Sequence, residues 1–290
     1  MKIVTHSGKF HADDVFAVAV FSLLYPELNI IRSREESIIK TADIVVDVGG
    51  VYDVTQKRFD HHQEGGAGTR DNSIPYASFG LVWKEMGEKL CGSREVANCI
   101  EERLVWPIDA LDNGISLSKP LFENISDYGI TDYFDAFVNH TYKNEEYLHE
   151  VFMEVVLVAK DLLLKEIRNA EIFLIDLEKM KILIDQTEDK RLIVLEEYLP
   201  WKKILIPIKD SLYVVYPRTD DKWGVEAVPI LLHGFERKKL FPEPWAGKRD
   251  EEMAKISGVS DATFCHNSRF IAVAQSKEGA VKLAQIALNA

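Results

Sequence analysis

The sequence predicts an α/β protein with an N-terminal domain on a parallel sheet, a helical connector and a smaller C-terminal mixed α+β domain. Three observations carry that prediction. Short β-rich runs at 3–5, 28–32 and 44–48 alternate with a helical repeat over 13–24, a rhythm that suits a parallel sheet covered by helices. A long stretch from Asn144 keeps one broad apolar face, and beyond Asp189 the chain turns to short strands. The boundaries are drawn at 1–142, 143–190 and 191–290, because 290 residues suit two domains of roughly 100–200 residues better than one.

The elements follow in chain order. The run at 3–5 ends in the polar turn His6-Ser7-Gly8. Residues 13–24 place Val15, Phe16, Ala19, Val20 and Leu23 at helical spacing, and Pro26 closes the run. The strand at 44–48 leads directly into Gly49-Gly50. Residues 78–90 and 93–111 read as two helices, the second on Val96, Ile100 and Leu104. The apolar face of Leu148, Val151, Phe152, Val155, Val156, Leu162 and Leu163 predicts a helix that runs, with a break, towards Ile184. Residues 192–195, 204–206 and 212–216 read as strands, and 219–222 as a turn into a further strand at 223–228. There are no internal repeats and no low-complexity tracts.

Composition narrows the function classes. No apolar run approaches the roughly 20 residues of a membrane helix, so no membrane association is expected. The N-terminus enters a strand at once, with neither a secretory h-region nor an Arg-rich leader, and Cys91, Cys99 and Cys265 are scattered without C-x-x-C spacing. Both features predict a cytoplasmic protein. The net charge is −12, from 35 basic against 47 acidic residues. That works against tight binding of long nucleic acid, which needs many Lys/Arg–phosphate contacts, but not against a short phosphorylated substrate.

Four segments carry chemistry. His6, His11 and Asp13 lie on one loop after the first strand, where they can converge on a point or serve as surface and helix-start residues. Asp47 ends an apolar strand, a place where a carboxylate is paired, metal-bound or part of an Asx turn. Asp60-His61-His62 combines a carboxylate with adjacent imidazoles, which suits a metal ligand, an orienting group and a phosphate-contacting His. Asp109 and Asp112 share a helix face at i, i+3 before Asn113-Gly114, and either could supply a last carboxylate. The mixed N/O donor set suits Mn²⁺, with Mg²⁺, Co²⁺ or Fe²⁺ as alternatives. Two ions roughly 3.5–4 Å apart, bridged by Asp47 and a hydroxide, generate a nucleophile at neutral pH. Gly65-Gly66-Ala67-Gly68 does not open a helix and reads as a mobile loop near the site.

These residues resemble the DHH-type phosphoesterases, and within them the family of the melanocyte proliferating gene product. The resemblance runs through Thr5-His6-Ser7-Gly8, Phe10-His11-Ala12-Asp13, Asp47-Val48-Gly49-Gly50, Asp60-His61-His62-Gln63 and Ile108-Asp109-Ala110-Leu111-Asp112-Asn113-Gly114. It continues through Pro200-Trp201-Lys202, Ala227-Val228-Pro229, Phe235-Glu236-Arg237 and Arg249-Asp250-Glu251-Glu252. It implies a DHH-like N-terminal domain with metal ligation by His6, His11, Asp13, Asp47, His61 and a final Asp, placed at Asp112 before Asp109. His62, with Asp60, would face the scissile phosphate. Arg218, Arg237, Arg249 and His266 would bring basic groups to the substrate from the C-terminal domain. The implied activity is Mn²⁺-dependent hydrolysis of short RNA or oligonucleotides from the 3′ end. A phosphatase acting on pyrophosphate, a nucleotide or a cyclic dinucleotide is the alternative, and a non-catalytic metal-binding protein a third reading. Oligomeric state is left open, a homo-oligomer included. Two segments depart from the family pattern. Residues 64–68 lack an expected aromatic, and 269–274 lack a Gly-Gly pair that would let a ligand backbone approach closely.

Overall fold

Three of the β-rich runs become β1 (Lys2–Thr5), β2 (Asn29–Arg32) and β3 (Ile44–Val46), joined by two short strands, β4 (Tyr52–Asp53) and β5 (Arg58–Phe59). The structure is a computed structural model that describes residues 1–139, 144–232 and 234–290. Two units, Met1–Glu171 and Ile172–Ala290, each carry a five-stranded mixed sheet. The protein is therefore α/β.

In the first unit the sheet order is β2-β1-β3-β5-β4. β1 pairs in parallel with β2 and β3, β3 pairs in parallel with β5, and β4 returns antiparallel to β5. The two-residue strands β4 and β5 are too short to show any alternation, so the sequence reading lacks them. Helix α1 (Ala12–Leu24) is buried from Ala12 through Phe21. It packs against the sheet and α3 (Ser78–Cys91), which explains a helix that is apolar on nearly every side. A short α2 (Glu36–Lys40) lies between β2 and β3.

The helix expected over 93–111 divides. α4 (Arg94–Ile100) passes through one π-helical turn, Glu101–Val105, into α5 (Trp106–Asp112). Pro107 has no N–H to give the carbonyl of Arg103, so the α ladder cannot run through unchanged. α6 (Ile130–Asp135) follows. α7 (Glu145–Gln186) has 42 residues and no break, contrary to expectation, because it holds neither Gly nor Pro. It carries the chain from the first unit into the second.

The second unit orders its strands β6 (Leu192–Val194), β7 (Tyr213–Pro217), β8 (Trp223–Ala227), β10 (Ile271–Ala274) and β9 (Ala262–Cys265). Only β6 with β7 is a parallel pair. α9 (Asp250–Ser257) packs on β9, and α10 (Lys277–Asn289) on β7, β8 and β10. The strand predicted at 204–206 is instead α8 (Lys202–Leu205). Trp201 and Leu205, four residues apart, bury together in the core with Val214 and Val228, a spacing a helix satisfies and a strand does not. Among the described residues no helix is long and apolar enough to cross a membrane.

Candidate metal centre

The carboxyl ends of three neighbouring parallel strands release the donor residues. His6 follows β1, Asp47 follows β3, and Asp60-His61-His62 follow β5. Open α/β sheets place ligand sites beyond these strand ends. Asp47 sits in the left-handed region at φ 55°, ahead of Gly49 and Gly50 with φ 96° and 66°. Few side chains accept that conformation, and Asp is one that does. Its backbone N–H donates to the Phe59 carbonyl at 3.0 Å, which ties the turn to β5. His11 caps α1, whose first turn carries Asp13 and Asp14, and Asp112 ends α5.

Three overlapping groups result: His6, His11 and Asp47; Asp47, His61 and His62; and His11, Asp13 and Asp112. Within each, one donor atom per residue lies within 4.8 Å of the others. His6 Nε2 is 3.2 Å from Asp14 Oδ2 and 3.3 Å from Asp47 Oδ2. His61 Nε2 is 3.1 Å from Asp112 Oδ2, 3.4 Å from Asp47 Oδ1 and 4.0 Å from Asp13 Oδ2. Both Asp13 oxygens, Asp14 Oδ2 and His61 Nε2 are buried without an aligned hydrogen bond. Lone pairs crowded together away from water are costly unless a cation shares them. The mixture of imidazole and carboxylate therefore fits divalent ions.

The electrostatics agree. Burial opposes charge on His6, but the Asp14 and Asp47 carboxylates outweigh it and raise the imidazole to about 10. His61 is likewise raised to about 10 against burial, by Asp112 and Asp47. Burial also opposes ionisation of Asp47, yet His6, His61 and Ser78 hold it far below the usual carboxylate range. Burial, then Asp47 and Asp112, push Asp13 well above that range. An imidazole must lose its proton at the ligating nitrogen, so ion uptake at neutral pH should release protons and affinity should rise with pH. Titration calorimetry with Mn²⁺ in buffers of different ionisation enthalpy should report net proton release on ion uptake at pH 7. Uptake with no proton release would contradict this geometry.

His62, which belongs to the second group with its Nδ1 3.4 Å from Asp47 Oδ1, also pairs with Asp60. Asp60 Oδ1 lies 2.7 Å from His62 Nδ1, and its other oxygen accepts the Gly50 N–H at 2.5 Å. The His62 side chain is 61% exposed, whereas Asp60 is buried. Asp109 is not in any of the three groups that could hold an ion. Its Oδ2 meets Arg70 Nη2 at 2.8 Å and its Oδ1 accepts the Gly80 N–H at 2.9 Å. Arg70, which arrives from another loop, gives Asp109 a partner of its own. Burial still pushes that carboxyl up to about 7, with Arg70 opposing.

Two members of the site escape the sequence reading. Asp14 touches His6 and also accepts the His11 backbone N–H at 2.8 Å. Ser78 Oγ–H donates to Asp47 Oδ1 at 2.8 Å. Asp14 has the same helix-start position and chemistry as its neighbour Asp13, and a helix-start Ser carries no metal signal. Gly65, Gly66 and Gly68 all have positive φ, and Gly66 N–H closes a turn onto the Gln63 carbonyl at 2.9 Å.

Arg218, Arg237, Arg249 and His266 belong to the second unit. Arg218 and Arg249 line one small pocket of about 210 Å³, where Arg249 lies over the Phe264 ring at 4.6 Å. Arg218 is paired with Asp220 at 3.1 Å. Arg237 lies over Phe270 at 5.2 Å, and the His266 ring is 4.5 Å from the same Phe270.

A family model for MYG1 exonucleases, described as an uncharacterised protein family (UPF0160), matches residues 2–288. The MYG1 protein of Dictyostelium discoideum is 30% identical over 330 aligned positions, covering 100% of this chain and 97% of that relative. The MYG1 protein of Schizosaccharomyces pombe is 31% identical, covering 100% and 98%. The MYG1 exonuclease of Homo sapiens is 29% identical, covering 99% and 85%. Among solved structures, RecJ in complex with Mg²⁺ from Thermus thermophilus matches at a TM-score of 0.31 and 10% identity. That alignment covers 100% of this chain and 50% of RecJ, a likeness too slight to carry an argument. By the near-full-length family match, the chain belongs to the MYG1 exonuclease family of hydrolases.

Proposed function

We propose that the first unit is a DHH-type phosphodiester hydrolase that uses two divalent ions, with Mn²⁺ as the working metal. Its substrate is a short RNA or oligonucleotide, shortened from the 3′ end. The observation that carries this reading is the sharing of donors: His11 belongs to two of the three groups, and Asp47 to two. A donor set that overlaps in this way suits two neighbouring ions better than one. Bound divalent ions would supply a nucleophile from water at neutral pH and offset the charge that develops on the phosphoryl group.

The chain's own residues do the rest. Ser78 holds one oxygen of Asp47, leaving the other beside His6. Asp60 accepts the Nδ1–H of His62, which fixes the tautomer and leaves Nε2 free to meet a phosphoryl oxygen or a leaving group. The names of mammalian relatives as exonucleases support action at chain ends. The net charge of −12 supports short substrates over long ones.

A 5′-labelled oligoribonucleotide incubated with protein and Mn²⁺ should yield a ladder shortening from the 3′ end, and chelation should stop it. Immediate release of the labelled 5′ nucleotide without a ladder would reverse the polarity, and no cleavage at all would sink the reading. Asp60→Asn should lower kcat by roughly 10–100-fold while leaving Mn²⁺ content unchanged, as expected when an orienting partner is lost. Loss of metal together with rate would instead make Asp60 a ligand.

A further inference from the structure

A cavity of about 950 Å³ opens beside the metal centre, with His11, Asp13 and Asp112 in its lining. Much of the remainder comes from the segment between α5 and α6. There Leu121, Phe122 and Ile125 are 90%, 68% and 62% exposed. Large apolar side chains left in water next to a polar centre mark a surface that something covers. The segment has internal ties: Ser118 Oγ–H donates to Asp127, and Ser116 Oγ–H to the Ser118 carbonyl at 2.7 Å. Among the described lining residues Lys119 is the one lysine or arginine, set against Asp127, Asp132 and the carboxylates of the centre.

We propose that this cavity is a nucleoside subsite, which takes the base and sugar of the terminal nucleotide while its phosphate lies at the metal centre. The proposal rests on the phosphodiesterase reading and adds to it the place where the terminal base and sugar bind. Small-ligand sites occupy roughly 300–1,000 Å³ and are mostly apolar with a few polar anchors, as here. A pyrophosphate or polyphosphate needs clustered cations, and one lysine among carboxylates opposes such a ligand. A flat base loses little by leaving water and gains from an aromatic face, and Phe122 offers that face whatever the base. The subsite should therefore select for the presence of a base and not for its identity.

The test compares Mn²⁺-dependent cleavage of an oligoribonucleotide with a normal terminal nucleotide and one with an abasic end. The wild type should cut the abasic end with kcat/KM roughly tenfold lower, the effect of one lost base–aromatic stack. Phe122→Ala should bring that ratio close to one, chiefly through KM, and Leu121→Ser should narrow it. Both side chains are exposed, so thermal melts of the variants should match the wild type. In parallel, saturation-transfer NMR with adenosine 5′-monophosphate should show transfer to the adenine protons that Phe122→Ala abolishes. Equal cleavage of both ends by an active wild type would overturn the subsite and leave the hydrolase reading standing. An alkyl phosphate that displaces the nucleotide as well as another nucleotide does would also overturn it. If neither end is cut, the hydrolase reading fails and the NMR arm decides the cavity. Adenine transfer lost in Phe122→Ala would keep it as a nucleotide site, and no transfer would remove it.

Discussion

Asp47→Ala should abolish metal-dependent turnover, with kcat/KM lower by roughly 10³-fold or more, about 4 kcal/mol of transition-state stabilisation. The size of the effect follows from position. Asp47 faces both buried imidazoles, at 3.3 Å from His6 and 3.4 Å from His61, and is shared between two donor groups. Removing it takes a donor from both groups and the nearby negative charge from two imidazoles. The backbone there has φ 55°, which alanine adopts less readily than Asp, so Asp47→Asn is the companion variant that keeps the shape. Both should bind less Mn²⁺ by elemental analysis and show no nucleotide release. Ser78→Ala, which loses one hydrogen bond to the same carboxylate, should cost far less. Full metal occupancy with normal turnover in Asp47→Asn would refute the two-ion reading.

Arg70→Ala should destabilise the fold by up to about 3–5 kcal/mol above pH 7, where Asp109 is ionised and would be a buried charge without its partner, and by less at lower pH. Asp109 is 0% exposed, and Arg70 is its cationic neighbour at 2.8 Å. Arg70 also holds Glu101 through Nε at 3.1 Å and lies over the Tyr76 ring at 4.0 Å, so one side chain ties the π-helical turn, α5 and the loop before α3. Gly80→Ala probes the same contact from the other side. A Cβ at Gly80 would stand 1.7 Å from Asp109 Oδ2 and 2.5 Å from Arg70 Nη2, closer than atoms can approach. Chemical denaturation should give a lower midpoint for both variants. A wild-type midpoint in Arg70→Ala would show that the pair contributes nothing.

The same carboxyl sets a pH dependence. Its folded value, about 7, lies above the ordinary 3.8, so the folded state holds this proton more tightly than the unfolded chain. The stabilisation from this group is full below the ordinary value and is lost as pH rises through about 7. Asp109→Asn should flatten that part of the stability profile between pH 4 and 7, measured by denaturation at each pH. An unchanged slope would assign the dependence to other groups.

Much of the first unit was legible because its signals are local. A β-branched run followed by a polar turn marks both a strand and its carboxyl end, so β1 and β3 and the donors His6 and Asp47 could be read together. Asp60-His61-His62 was visible as a donor triplet, although the two-residue strand before it was not. The π-helical turn, α8 and the unbroken α7 were misread for different reasons. Short apolar runs do not separate helix from strand by periodicity, and the response of a helix to Pro107 depends on its surroundings. Local texture also gave no hint of the cavity beside α5, since Leu121 and Phe122 lie in a segment without periodic pattern.

By itself the sequence determined the alternation of strand and helix, the order of the candidate donor residues along the chain and their mixed imidazole–carboxylate chemistry. All three are properties of neighbours in sequence. Only the tertiary structure showed Asp109 paired with Arg70, 39 residues before it in the chain, and Asp112 beside His61. Only it brought Asp14 to His6 and Ser78 to Asp47, since both contacts join groups on different elements. Which carboxylate stays beside the imidazoles and which is taken by an arginine depends on what packs against each, and packing partners distant in sequence leave no local trace.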